Sequence, residues 1–73
     1  MDVKKFQVIN FLPSNLTPYS ECVIKSRTDF GLEIEIVKEN GPKVRSGYFI
    51  ALEKSKYVVE EREGTIIWVK LIE

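Results

Sequence analysis

Histidine is absent from this 73-residue chain, cysteine occurs once, and eleven basic side chains are matched by eleven acidic ones, leaving no net charge. Each absence removes a class of chemistry. Without imidazole there is no Ser-His-Asp triad, no histidine general base and no His-ligated zinc. The single thiol, Cys22, makes neither an intramolecular disulfide nor a four-cysteine metal site. The glycines, Gly31, Gly41, Gly47 and Gly64, are isolated, so no phosphate-cradling loop is encoded. No apolar run approaches the ~18 residues of a membrane span. Lys4, Lys5, Gln7 and Asn10 interrupt the first dozen positions and leave no apolar stretch of the signal-peptide kind. A cytoplasmic protein is expected, without membrane contact, and the lone thiol suits a reducing compartment.

What is present is 44% hydrophobic and 30% charged. The length allows a single domain over residues 1–73. A chain this short buries roughly 60% of its unfolded surface, enough for one small core.

The periodicity is that of strands. Residues 3–9 place Phe6 and Val8 on one face, and residues 21–27 place Cys22, Ile24 and Ser26 opposite Val23, Lys25 and Arg27. Between them runs a loop, 10–20, in which Pro13 and Pro18 exclude a strand or a full helix. Thr28-Asp29-Phe30-Gly31 reads as a tight turn. The clearest signal is 32–38, where Leu32, Ile34 and Ile36 alternate with Glu33, Glu35 and Val37. Asn40-Gly41-Pro42 follows as a turn, and a three-residue connection predicts a hairpin with a strand over 43–52. That register pairs Ile36 with Ser46, Ile34 with Tyr48 and Leu32 with Ile50, and sets Glu39 against Lys43. A polar link at 53–56, with room for one helical turn, leads to a last hairpin around Glu63-Gly64 that faces Trp68 onto Val59 and makes Trp68 a core residue. The final strand, 66–72, is apolar on both faces apart from Lys70, which predicts a central position.

Six short strands without a helix predict an all-β chain forming one small antiparallel barrel of five to six strands. The long first loop, tight middle hairpin and short polar link together resemble the layout of SH3-like barrels. In those barrels the corresponding loop helps form the binding surface, which draws attention to Tyr19. Phe11, Leu12, Leu16 and Tyr19 make the 10–20 loop unusually apolar, as expected of a segment that plugs a barrel end or meets a partner.

Candidate chemistry is sparse. Glu33 and Glu35 share a strand face about 7 Å apart, but a general acid–base pair needs one buried carboxyl, and both are expected in solvent. Glu60, Glu61 and Glu63 lack the spacing of a calcium loop and read as a solvated hairpin tip. Cys22 has no base to activate it and reads as structural. The serines lie in no nucleophile motif. No enzyme, cofactor or metal is therefore expected.

Binding is the expected activity. Successive segments 1–27, 28–42, 43–58 and 59–73 carry net charges of +2, −3, +3 and −2. The third holds Lys43, Arg45, Lys54 and Lys56 around Tyr48 and Phe49, and basic residues interleaved with outward aromatics are what a strand face uses to stack bases and neutralise phosphates. Arg45-Ser46-Gly47-Tyr48-Phe49-Ile50 resembles the RNP1 string of RNA-recognition and cold-shock domains in its basic-Gly-aromatic order. It departs by the extra Ser46 and the missing small residue between the aromatics, and no RNP2 partner accompanies it. A pI near 6.3 argues against nonspecific nucleic-acid binding, which depends on counterion release. The sequence thus predicts a non-enzymatic interaction module for a protein or ribonucleoprotein surface. Tyr19, Lys25, Arg27, Lys43, Arg45, Phe49, Lys54 and Lys56 are its expected contacts. Direct RNA or DNA binding through the 43–56 face, as in a small accessory ribosomal protein, is one alternative. A phage-type or defence-related inhibitor is the other.

Overall fold

In a computed structural model of the chain, which describes residues 2–10, 13 and 15–72, six antiparallel strands close into a barrel. The strands are β1 (Val3–Val8), β2 (Ser20–Arg27), β3 (Gly31–Lys38), β4 (Phe49–Leu52), β5 (Ser55–Glu63) and β6 (Ile66–Leu71). Their order around the wall is β1-β2-β3-β6-β5-β4, so two three-strand meanders are sewn together by β3 with β6 and β4 with β1. The barrel class read from the sequence is therefore the fold observed, at its six-strand limit. Among the described residues no helix is long and apolar enough to cross a membrane.

Alternation builds the core. Leu32, Ile34 and Ile36 from β3 meet Ile67 and Val69 from β6, Tyr57 and Val59 from β5, Ile50 and Leu52 from β4, and Phe6 and Val8 from β1. Cys22 lies fully buried among them. At about 25 cal/mol per Å² of apolar surface, this one cluster is the main source of stability.

The middle hairpin is a correction. Residues 43–48 form no strand, and β3 pairs with β2 and β6, not with the segment that follows it. The 39–48 segment turns across the end of the barrel instead, and Val44 is fully buried in the core cluster. Contacts of Asn40, Glu39 and Val44 explain the diversion. Ser20 Oγ donates to the Asn40 carbonyl (3.1 Å) and accepts the Asn40 N–H (2.9 Å), while Asn40 Nδ2 donates to the Tyr19 carbonyl (2.9 Å). Glu39 pairs with Arg62, not with Lys43, and its Oε2 also accepts the Val44 N–H at 2.8 Å. Arg62 Nη1 in turn donates to the Val44 carbonyl at 3.2 Å. The plug at this end is thus Val44. Leu16 and Tyr19 of the 10–20 loop are 66% and 55% exposed, and Phe11 and Leu12 lie outside the described residues.

Two turns also differ from the sequence reading. Glu53-Lys54 is a two-residue hairpin turn between β4 and β5, not a longer link, and both residues have positive φ (51° and 68°), as a type I′ turn requires. The last hairpin turns at Gly64-Thr65, one position later than read, and Glu60 is bulged out between the pairs Val59–Val69 and Glu61–Trp68. The bulge moves Trp68 to the outside. Trp68 is half-buried on the outer wall, while its neighbours Ile67 and Val69 fill the core.

Candidate binding groove on the outer wall

The β3–β6 seam owes its closeness to Gly31. A Cβ at this position would overlap the Val69 carbonyl oxygen and stand 3.1 Å from the Lys70 Cα. With no side chain there, the outer wall has a gap opposite Lys70, and the flanking side chains frame it. The result is an open groove of about 490 Å³ whose walls include Phe30, Trp68, Ser26, Glu33, Glu60 and Lys70.

Local chemistry fixes Phe30 at its rim. Thr28 Oγ1 accepts the backbone N–H groups of Phe30 (3.2 Å) and Gly31 (3.1 Å), and the Thr28 N–H donates to the Gly31 carbonyl (2.9 Å). Such a hydroxyl-closed turn is a substitute for backbone pairing. From the other side, the Leu71 N–H donates to the Phe30 carbonyl at 2.7 Å. The backbone of Phe30 is therefore held by both neighbours while its ring is 76% exposed. Across the gap, Trp68 stands between Glu33 on β3 and Glu61 on β5, directly opposite each. Glu33, Glu60 and Lys70 are in no ion pair among the described residues, and the Trp68 indole N–H has no hydrogen-bond acceptor there.

The eight residues expected from sequence are not gathered into one face. The barrel has two ends, one carrying the 28–30 and 53–54 turns and the other the 39–48 and 64–65 connections. Lys43 and Arg45 lie at the second end beside a broad depression that also includes Arg62. Tyr19 is at that end too. Lys54 and Arg27 belong to the first end, and Lys25 and Lys56 lie on β2 and β5. Of these cations, Lys25 Nζ is 3.6 Å from Glu35, Arg27 Nη2 is 2.9 Å from Glu53, and Lys56 is also engaged. Phe49 points outward as read, 39% exposed, but Glu33 is not beside it, because β4 pairs with β1 and β5 and not with β3. It stands opposite Val58, which stands opposite Lys70, so it lies two strands, about 10 Å, from the groove's edge.

Electrostatics elsewhere are structural. The Arg62 guanidinium holds Glu39 below the usual carboxylate range, through paired contacts of 2.7 and 3.0 Å. Arg27, then Lys4, do the same for the Glu53 carboxylate. Burial, reinforced by the nearby Glu53 charge, pushes the Cys22 thiol up to about 11. At neutral pH that thiol is protonated and enclosed, the condition of an inert cysteine.

The sequence reading placed Phe30 in a turn and Trp68 in the core, and so missed the groove. One signal was available: an aromatic at a turn position usually taken by a small polar residue. No family model, curated protein or solved structure matches the chain, so the site rests on its own geometry.

Proposed function

We propose that this chain is a non-enzymatic β-barrel module that binds a protein partner in the outer-wall groove between Phe30 and Trp68. The observation that carries the reading is the presentation of an exposed aromatic on a doubly held backbone beside a half-buried one, with charges around them that form no ion pair among the described residues. An exposed ring on a backbone held from both sides costs little ordering on association. Aromatic anchors with a polar rim are the usual energetic centre of a protein interface. The hydroxyls in the lining are those of Ser26, which stands opposite Glu33 without a hydrogen bond to it among the described residues, and Thr28, which is committed to its turn. Lys43, Arg45 and Lys54, which form no ion pair among the described residues, lie at opposite ends of the barrel, which favours a protein partner over a nucleic-acid strand following a basic face.

The test is selection of dodecapeptides from a random display library on the immobilised full chain. Peptides are expected to enrich on the wild type and to bind about tenfold more weakly to Phe30→Ser, a change at an exposed ring that leaves the barrel intact. Enrichment insensitive to Phe30→Ser overturns the reading. So does a chain that enriches no peptide but binds a single-stranded RNA dodecamer with a steep negative salt slope.

A further inference from the structure

We infer that the groove takes an arginine side chain presented by an extended segment of the partner, an inference that rests on the groove being the binding site. Charge complementarity carries it. The indole of Trp68 is flanked by Glu33 on one neighbouring strand and Glu61 on the other, and Glu60 joins the lining at the bulge. Lys70 is the one basic residue of the lining; it stands opposite Gly31, in the row next to Glu33–Trp68–Glu61, and forms no ion pair with these glutamates among the described residues. A carboxylate or phosphate brought to Trp68 would meet three glutamates. A cation would meet carboxylates with no competing ion pair among the described residues.

Among cations, the planar guanidinium fits this arrangement best. Its face stacks on an indole, the strongest of the aromatic partners, while its edge donors engage carboxylates at the same time. An ammonium satisfies the charge but does not stack. The Trp68 N–H, without an acceptor among the described residues, supplies a donor for a main-chain carbonyl of the same segment. Strand addition is closed to the partner here, because β3 and β6 already pair with each other and with β2 and β5. Recognition must therefore pass through side chains on the wall rather than through a sheet edge.

The test uses three synthetic peptides, acetyl-Gly-Leu-X-Leu-Gly-amide with X as arginine, lysine or glutamate, titrated into the ¹⁵N-labelled full chain. The readout is the indole N–H resonance of Trp68, the sole tryptophan, with the amides of Phe30, Gly31 and Glu33. The arginine peptide is expected to shift these resonances saturably, the lysine peptide with about threefold lower affinity, and the glutamate peptide not at all. The double variant Glu33→Gln, Glu60→Gln, at residues with no ion pair to lose, is expected to weaken the arginine peptide by about tenfold. Two results overturn the inference while leaving the groove as a binding site. One is a glutamate peptide that shifts the same resonances as strongly, and the other is a double variant that keeps full affinity. If none of the three peptides moves the groove resonances, both the inference and the reading beneath it fall.

Discussion

Substituting Gly31 by alanine tests the seam on which both fold and groove depend. The added methyl would overlap the Val69 carbonyl oxygen and crowd the backbone of Lys70, and neither is the flexible end of a side chain. Strands β3 and β6 must part locally. Overpacking of this kind costs about 1–3 kcal/mol, and each ladder hydrogen bond weakened at the seam adds about 1 kcal/mol. A loss of about 2–4 kcal/mol follows, set against about 4–11 kcal/mol for a domain of this size. Gly64→Ala is the matched control. Its position is sterically open, with nothing within 4 Å of an added Cβ, but its φ is +62°, so it carries only the conformational cost, about 1 kcal/mol. Urea unfolding followed by far-ultraviolet circular dichroism measures both. If Gly31→Ala costs no more than Gly64→Ala, the strands are not held as closely as described, and the origin of the groove fails with them.

Three further outcomes follow from the same geometry. Because Arg62 depresses the folded-state pKa of Glu39, that carboxylate stabilises the barrel above its unfolded pKa of about 4.3 and loses its contribution as pH falls through the lower folded value. Glu39→Gln should therefore flatten the fall of stability below about pH 5 without abolishing the slope, since Glu53 is also depressed; an unchanged pH profile refutes the pairing. Trp68→Ala should cost only about 1–2 kcal/mol, because the side chain is half-buried on the wall, whereas Phe6→Ala in the core should cost about 3–5 kcal/mol and leave little folded protein. Thermal melts by circular dichroism compare the two, and equal losses would put Trp68 back in the core. Lys54→Gly relieves a lysine held at φ 68° and should stabilise by up to about 1 kcal/mol in the same melts; destabilisation would mean that this turn is not type I′.

The parts of the fold legible in the sequence are those set by local alternation. Leu32, Ile34 and Ile36 announce β3, and Phe6 and Val8 announce the inward face of β1, because a period of two is a property of neighbours along the chain. Pairing is different. Val44, Ser46 and Tyr48 alternate as a strand would, and periodicity names a face without naming its partner. What turned 39–48 across the barrel end was the Asn40 contact with Ser20 and the Glu39 contact with Arg62, 20 and 23 residues apart in sequence. Long-range contacts of that kind leave no pattern in a single sequence. The Trp68 reversal has the same cause at smaller scale, since one bulged residue, Glu60, reassigns faces along the hairpin. For the site, sequence alone fixed on charge blocks, and closure of the barrel then sent Lys43 and Lys54 to opposite ends.

In the proposed function, binding belongs to the Phe30–Trp68 wall and not to the basic 43–56 segment. The most direct measurement compares two variants against one library-selected peptide by isothermal titration calorimetry: Phe30→Ser, and the double charge reversal Lys43→Glu, Arg45→Glu. The groove predicts that the first loses about tenfold in affinity while the second stays within about twofold of wild type. A charge reversal that abolishes binding while Phe30→Ser leaves it intact would contradict the account.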